Sequence, residues 1–163
     1  MVNAIQKIIL SFALSLFFSA TYAQSLEKCS QGELKVGLKQ VGTATYYAQN
    51  CQQAWQGQNM QIDFHYTQNI PEWAFKRAAT HFLKKNINDF SEQSALNQIT
   101  NLYRAVKSGD VYRLKYSHQN QNLTLLLNNQ TLGRVQDPQI QQYFTIWFGK
   151  TPFSAKLKQQ LLN

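Results

Sequence analysis

Residues 109–163 read GDVYRLKYSHQNQNLTLLLNNQTLGRVQDPQIQQYFTIWFGKTPFSAKLKQQLLN, and the fold is decided there. Gly109-Asp110 opens a strand at 111–117, and the apolar run 123–127 forms a second. Asn128-Asn129 separates that run from a short third strand at 132–135. Asn tolerates the positive φ that hairpin turns demand, so the pair predicts a tight turn. Asp137-Pro138 predicts a helix start: the carboxylate accepts orphan N–H groups of the first turn, and proline at the first helical position forfeits no hydrogen bond. This helix is expected to end at Gly149 in a left-handed residue, with a last short helix behind it. The segment is a β-meander with a helical tail.

Upstream, strands at 33–36 and 41–48 flank a turn at 37–40, and that turn lies midway between Cys29 and Cys51. A hairpin folded there brings the two cysteines together, which predicts a disulfide in an oxidising compartment. Two cysteines without a nearby histidine cannot close a zinc site, and no metal is expected. Residues 58–66 alternate: Met60, Ile62, Phe64 and Tyr66 share one face, with Gln61, Asp63 and His65 on the other. Pro71 opens a helix to about residue 85 with Phe75, Ala78, Ala79 and Phe82 on its apolar face. Lys84 and Lys85 fall in its last turn, where the helix dipole favours cations. Asp89 and Glu92 have the spacing of a capping box, which predicts a second helix carrying Ala95, Ile99, Leu102 and Val106 on one face. Trp73, Tyr143, Phe144, Trp147 and Phe148 stand at helical spacings and read as core. Six strands in hairpin-like connections, with helices grouped between and after them, predict a single α+β domain with an antiparallel sheet and helices on one face.

The chain begins differently. Lys7 precedes an apolar run at 8–18, and small residues follow up to Ala23, so residues 1–23 read as a signal peptide and 24–163 as the mature domain. The apolar run is shorter than the roughly 20 residues a spanning helix needs. The expected location is the periplasm, with no transmembrane segment after cleavage. Without Lys7, one of 16 basic residues, the mature chain keeps an excess of seven positive charges over its 8 acidic ones. These cations are scattered rather than arranged in a run, which argues against nucleic acid and reads first as a solvated basic surface, with a membrane surface or an anionic ligand as the lesser alternative.

The six signals of the carboxy-terminal half carry a family resemblance. Gly109-Asp110, Asn128-Asn129, Gly133, Asp137-Pro138, Ile146-Trp147-Phe148-Gly149 and the terminal Leu161-Leu162-Asn163 stand in the order seen in exported bacterial proteins of the chalcone isomerase-like family. The resemblance implies an open-faced β-sandwich. It extends loosely to the amino-terminal half, where GLKQVGTATYYA resembles the family's aromatic strand but lacks its Tyr-Asp pair. The family's plant enzymes use an early-strand arginine with a threonine and tyrosine to stabilise a developing oxyanion. No arginine precedes Arg77 here, and Lys35 is a point charge without the planar fork, so an efficient chalcone isomerase is not expected.

No nucleophile elbow, phosphate loop or HExxH motif occurs, and His65, His81 and His118 are isolated in sequence. No cofactor is expected. The candidate ligand residues are Thr43, Thr45 and Tyr47, which alternate onto one face of the second strand, and Lys35 on the strand paired with it. If that face borders the cleft, a lysine and hydroxyls anchor the anionic end of an amphipathic molecule such as a fatty acid. The alternative is a solvated lysine and threonines that fill a sheet surface. Three readings follow: a non-catalytic binding module, as in the fold's fatty-acid-binding relatives; an intramolecular lyase on an enone-like substrate; and an accessory envelope protein. A large apolar cavity with one buried cation favours the first, a cation joined to a hydroxyl and an ordered water the second, and a filled cleft the third.

Overall fold

The computed structural model describes residues 25–163; the expected signal peptide lies outside them. Six strands follow one another across a single antiparallel sheet in the order of the sequence: β1 (Glu27–Val36), β2 (Lys39–Ala48), β3 (Met60–Tyr66), β4 (Val111–Ser117), β5 (Asn122–Leu127) and β6 (Gln130–Gln136). Helices α1 (Glu72–Asn86) and α2 (Ala95–Asn101) are inserted between β3 and β4, and α3 (Thr145–Phe148) and α4 (Ala155–Leu162) follow β6. All four lie on one face of the sheet. The architecture is the expected α+β sheet with one covered and one open face.

Alternation decides which residues face the helices. In the register, Tyr46, Ile62, Leu114 and Leu125 form one cross-strand row, and Ala48, Met60, Tyr116 and Leu123 the next. Every one of these is buried in the core beneath the helices. The opposite face carries the row Thr45, Asp63, Arg113 and Leu126. There Asp63 is 2% exposed and accepts from Arg113 Nε at 2.8 Å and from a terminal guanidinium nitrogen at 2.7 Å. That bidentate geometry offsets the desolvation of the carboxylate.

The turns behave as their residues require. Asn128 and Asn129 adopt φ of 51° and 65°, the left-handed pair of a two-residue hairpin. Gly37 takes φ of 60° at the β1–β2 turn. Strand β1 starts earlier than expected, so Cys29 sits within it, and Cys29 and Cys51 form the expected disulfide with a Cα separation of 5.3 Å.

Five local expectations are corrected. Asp89 and Glu92 build no capping box: Glu92 pairs with Lys84, Ser91 accepts the N–H of Gln93, and α2 begins only at Ala95. Val106 lies beyond that helix in a bridge to Ile70. Asp137 does accept the N–H of Gln139, but the following residues form a 3-10 turn over Ile140–Phe144 before one turn of α-helix. Gly149 is extended, with φ −70° and ψ −176°, rather than left-handed. What requires glycine there is space, because a Cβ would collide with Asn86 Oδ1. Asn86 uses that oxygen to accept the N–H of Thr151 while its amide donates to Phe82 O and Thr151 O, which ties the end of α1 to the loop after α3. Trp147 is buried as expected, with its ring 4.9 Å from Phe64. Trp73 is not core: it is 64% exposed.

Candidate apolar ligand site

A cavity of about 180 Å³ lies between the sheet and the helices. Its floor is Leu34 and Val36 of β1, Val41 of β2, and Phe64 and Tyr66 of β3. Its roof is Ala74, Phe75, Ala78 and Ala79 of α1, with Ile146 and Trp147 of α3 and Phe153 closing one end and Tyr103 and Ile70 the other elements of the wall. Ala74 and Ala78 are one helical turn apart, so two minimal side chains stand one above the other where larger ones would fill the space.

The aromatic walls are braced. Phe75 stacks on Tyr103 at 5.3 Å, and Tyr66 meets Phe75 edge-on at 5.5 Å and Tyr112 at 6.1 Å. Such contacts fix ring orientation beyond simple area burial and keep the space from collapsing. Tyr112 is pinned in turn by accepting the N–H of Arg104 and donating to its carbonyl.

Electrostatically the cavity is neutral. No lining residue is charged, and the polar side-chain atoms are the phenols of Tyr66 and Tyr103 and the indole N–H of Trp147. Burial pushes both phenols up from their ordinary range, with the nearby Tyr112 adding to the shift of Tyr66 and Tyr143 to that of Tyr103. They are therefore neutral donors rather than anions at any physiological pH. A carboxylate moved inside would lose its hydration and meet no cation, a large penalty. An apolar tail meets no such barrier.

The four candidate residues read from the sequence lie elsewhere. Lys35 sits between Leu34 and Val36, so the alternation that turns those two into the cavity turns Lys35 away. Its ammonium is 2.7 Å from Glu33. Thr43, Thr45 and Tyr47 alternate with Ala44, Tyr46 and Ala48, which face the helices, and so belong to the open face. There Thr43 is paired with Glu33 and His65, Thr45 with Gln31 and Asp63, and Tyr47 with Lys28 and Gln61. None of the four lines the cavity. Of the lining residues not proposed as ligand contacts, Ala74 and Ala78 carry one legible signal, small residues at i and i+4 on the flank of an apolar helix face, whereas Tyr66 and Tyr103 read only as core.

His65 and His118 flank neighbouring strands, but the antiparallel register puts them at opposite ends, His65 across from Val111 and the His118 N–H on Asn59. Among the described residues no three metal-binding side chains gather. The open face also holds a groove of about 360 Å³ near Lys115, Thr124 and Arg134. It is larger, yet its walls are mainly polar, and Arg134 already donates to Thr124.

The comparisons with known proteins agree with this layout. A crystal structure of a fatty-acid binding protein from Arabidopsis thaliana superposes with a TM-score of 0.65 over 89% of this chain and 90% of that one. The two sequences are 16% identical, a likeness of fold. No curated protein matches in sequence. The sequence pattern described as chalcone isomerase-like matches residues 42–163. That span covers most of the chain, including every helix, strands β3 to β6 and most of β2. The chain belongs to the chalcone isomerase-like family.

Proposed function

We propose that the protein is a non-catalytic carrier that takes the hydrophobic tail of a small amphipathic molecule, such as a fatty acid, into the cavity beneath α1. The observation that carries the reading is the uncharged cavity itself, braced by aromatic rings and roofed by Ala74 and Ala78. An apolar space of roughly 150 Å³ is enough to hold a benzene-sized guest. A longer tail extends through the mouth. Because the walls offer donors but no cation, the tail enters first and the charged head stays in the mouth, within reach of water. The absence of charge from the lining also favours binding over an intramolecular lyase, whose oxyanion needs a fixed cation or strong donors at the reacting atom.

The fold neighbour's description as a fatty-acid binding protein supports the same ligand class, although fold alone does not carry activity. The proposed setting is the periplasm, supported by the apolar leader at 1–23 and by the cysteine pair, which suits an oxidising compartment.

Titration with a fluorescent acyl probe, displaced by a fatty acid and by the matching fatty alcohol, tests the proposal. Saturable binding is expected, with acid and alcohol displacing the probe within a few-fold of each other because the head remains solvated. Chalcone added to the same protein is expected to cyclise at the uncatalysed rate. No saturable binding of either compound refutes the carrier reading, and rapid, saturable cyclisation replaces it with the enzyme.

A further inference from the structure

We infer that the mouth of the cavity docks on an anionic phospholipid surface, a step that rests on the carrier reading. Val36, Leu38 and Trp73 are the large hydrophobic residues left exposed among those described, and Leu38 is fully so. Each lines the cavity or lies within two residues of one that does. Val36 lines the cavity, Leu38 follows it at the tip of the β1–β2 hairpin, and Trp73 is adjacent on α1 to Ala74, which lines the cavity from above. An isolated exposed apolar residue needs no explanation, whereas three around the opening of an apolar cavity do.

Charge selects the partner. Glu33 and Glu72, the acidic groups beside this rim, are each paired, to Lys35 and Lys76. Lys39 at the hairpin tip and Arg77 on α1 have no acidic partner among the described residues. Arg77 stands three and four residues from Ala74 and Trp73, which puts it between the tryptophan and the cavity roof on the solvent side of the helix. Hydrophobic residues that end in a tryptophan, ringed by unpaired cations, match the boundary of a bilayer: apolar groups enter the acyl region, the indole sits at the interface, and the cations meet phosphate. A lipid tail leaving that bilayer then passes into the cavity without crossing water.

Flotation with phosphatidylcholine vesicles, with and without one quarter phosphatidylglycerol, tests the inference. Intact mass must show the same amino terminus in every arm, so that the first residues of the chain cannot account for a difference. Binding is expected on the anionic vesicles and much less on the neutral ones. Lys39→Gln with Arg77→Gln is expected to weaken it on the order of 25-fold, at roughly fivefold per cation. Leu38→Asp with Trp73→Ser is expected to remove it on both. All four positions are exposed or without a partner, so melting temperature should not move, and acyl-probe binding measured without vesicles should persist in the Leu38→Asp variant. Absence of flotation, equal flotation on both vesicle types, or flotation unchanged by both pairs of substitutions overturns the docking surface. Loss of probe binding in the wild type instead refutes the carrier reading beneath it.

Discussion

Filling the cavity separates its role in stability from its role in binding, because the two respond with opposite sign. Ala78→Phe projects a ring from α1 into a space of about 180 Å³. A benzene ring fits in roughly 150 Å³, so the added group finds room without displacing the sheet. Burying a phenylalanine side chain contributes roughly 1.5–3 kcal/mol, and imperfect fit takes back about 1–3 kcal/mol. The two offset, so the folded variant is expected to melt within a few degrees of the wild type. The same ring occupies the position proposed for the ligand tail. Losing about 2 kcal/mol of tail burial raises Kd roughly 30-fold. The assay is a probe titration beside a thermal melt of the same preparation. A folded Ala78→Phe protein that binds the acyl probe as tightly as wild type refutes the site, since no tail can share that space with the ring.

Other outcomes follow from single contacts. Lys35→Met is expected to leave probe affinity unchanged in the same titration, because Lys35 points away from the cavity and pairs with Glu33. Gly149→Ala and Gly149→Asn are expected to lower stability by similar amounts, about 1–3 kcal/mol, in denaturant titration; a marked advantage for Asn would indicate a left-handed residue after all. Reducing Cys29–Cys51, which closes a loop of 22 residues, is expected to cost about 3 kcal/mol, read as the difference in unfolding midpoint with and without reductant. Asp110 accepts from the Lys107 N–H and from Asn128, which holds its carboxyl below the usual range. Its stabilising contribution is present above the ordinary carboxylate range and is lost as pH falls through the depressed value, so Asp110→Asn should flatten that part of an acid melting series.

Where one residue type has one physical use, the sequence was readable. Asn128-Asn129 could only relieve positive φ at a hairpin, and Met60, Ile62, Phe64 and Tyr66 could only share one face of a strand. Ambiguity entered where a residue has two uses. Gly149 satisfies a left-handed cap or a close approach, and nothing near it in sequence reveals that Asn86 lies against it. Glu92 serves a capping box or an ion pair, and Lys84, eight residues back, claims it. Trp73 fits the helical pattern of a core residue, but the helix turns Phe75, Ala79 and Leu83 inward instead. For the site, alternation correctly grouped Thr43, Thr45 and Tyr47. It could not say which face of the sheet the helices would cover, and they cover the other one.

The cavity also has energetic consequences for how the ligand should be detected. Residual cavities destabilise cores by about 24 cal/mol per Å³. For a space of about 180 Å³ this amounts to about 4 kcal/mol, an upper bound because the mouth admits solvent. Whole domains are stable by only about 5–15 kcal/mol, so a defect of that size is a substantial fraction of what holds the fold together. The rings cannot close it: Phe75 stacks on Tyr103, Tyr66 meets Phe75 and Tyr112 edge to face, Tyr112 meets Tyr103 in the same way, and the Tyr112 hydroxyl is held by the Arg104 backbone. Occupancy is the remaining way to restore the lost contacts. A ligand at a hundred times its Kd adds about 2.7 kcal/mol, and for a domain of this size that raises the melting temperature by roughly 8–12 °C. The shift should appear with fatty acid and fatty alcohol alike, and vanish in Ala78→Phe, where the ring already supplies the missing contacts. A melting temperature that rises equally in the filled variant places the stabilising ligand outside the cavity.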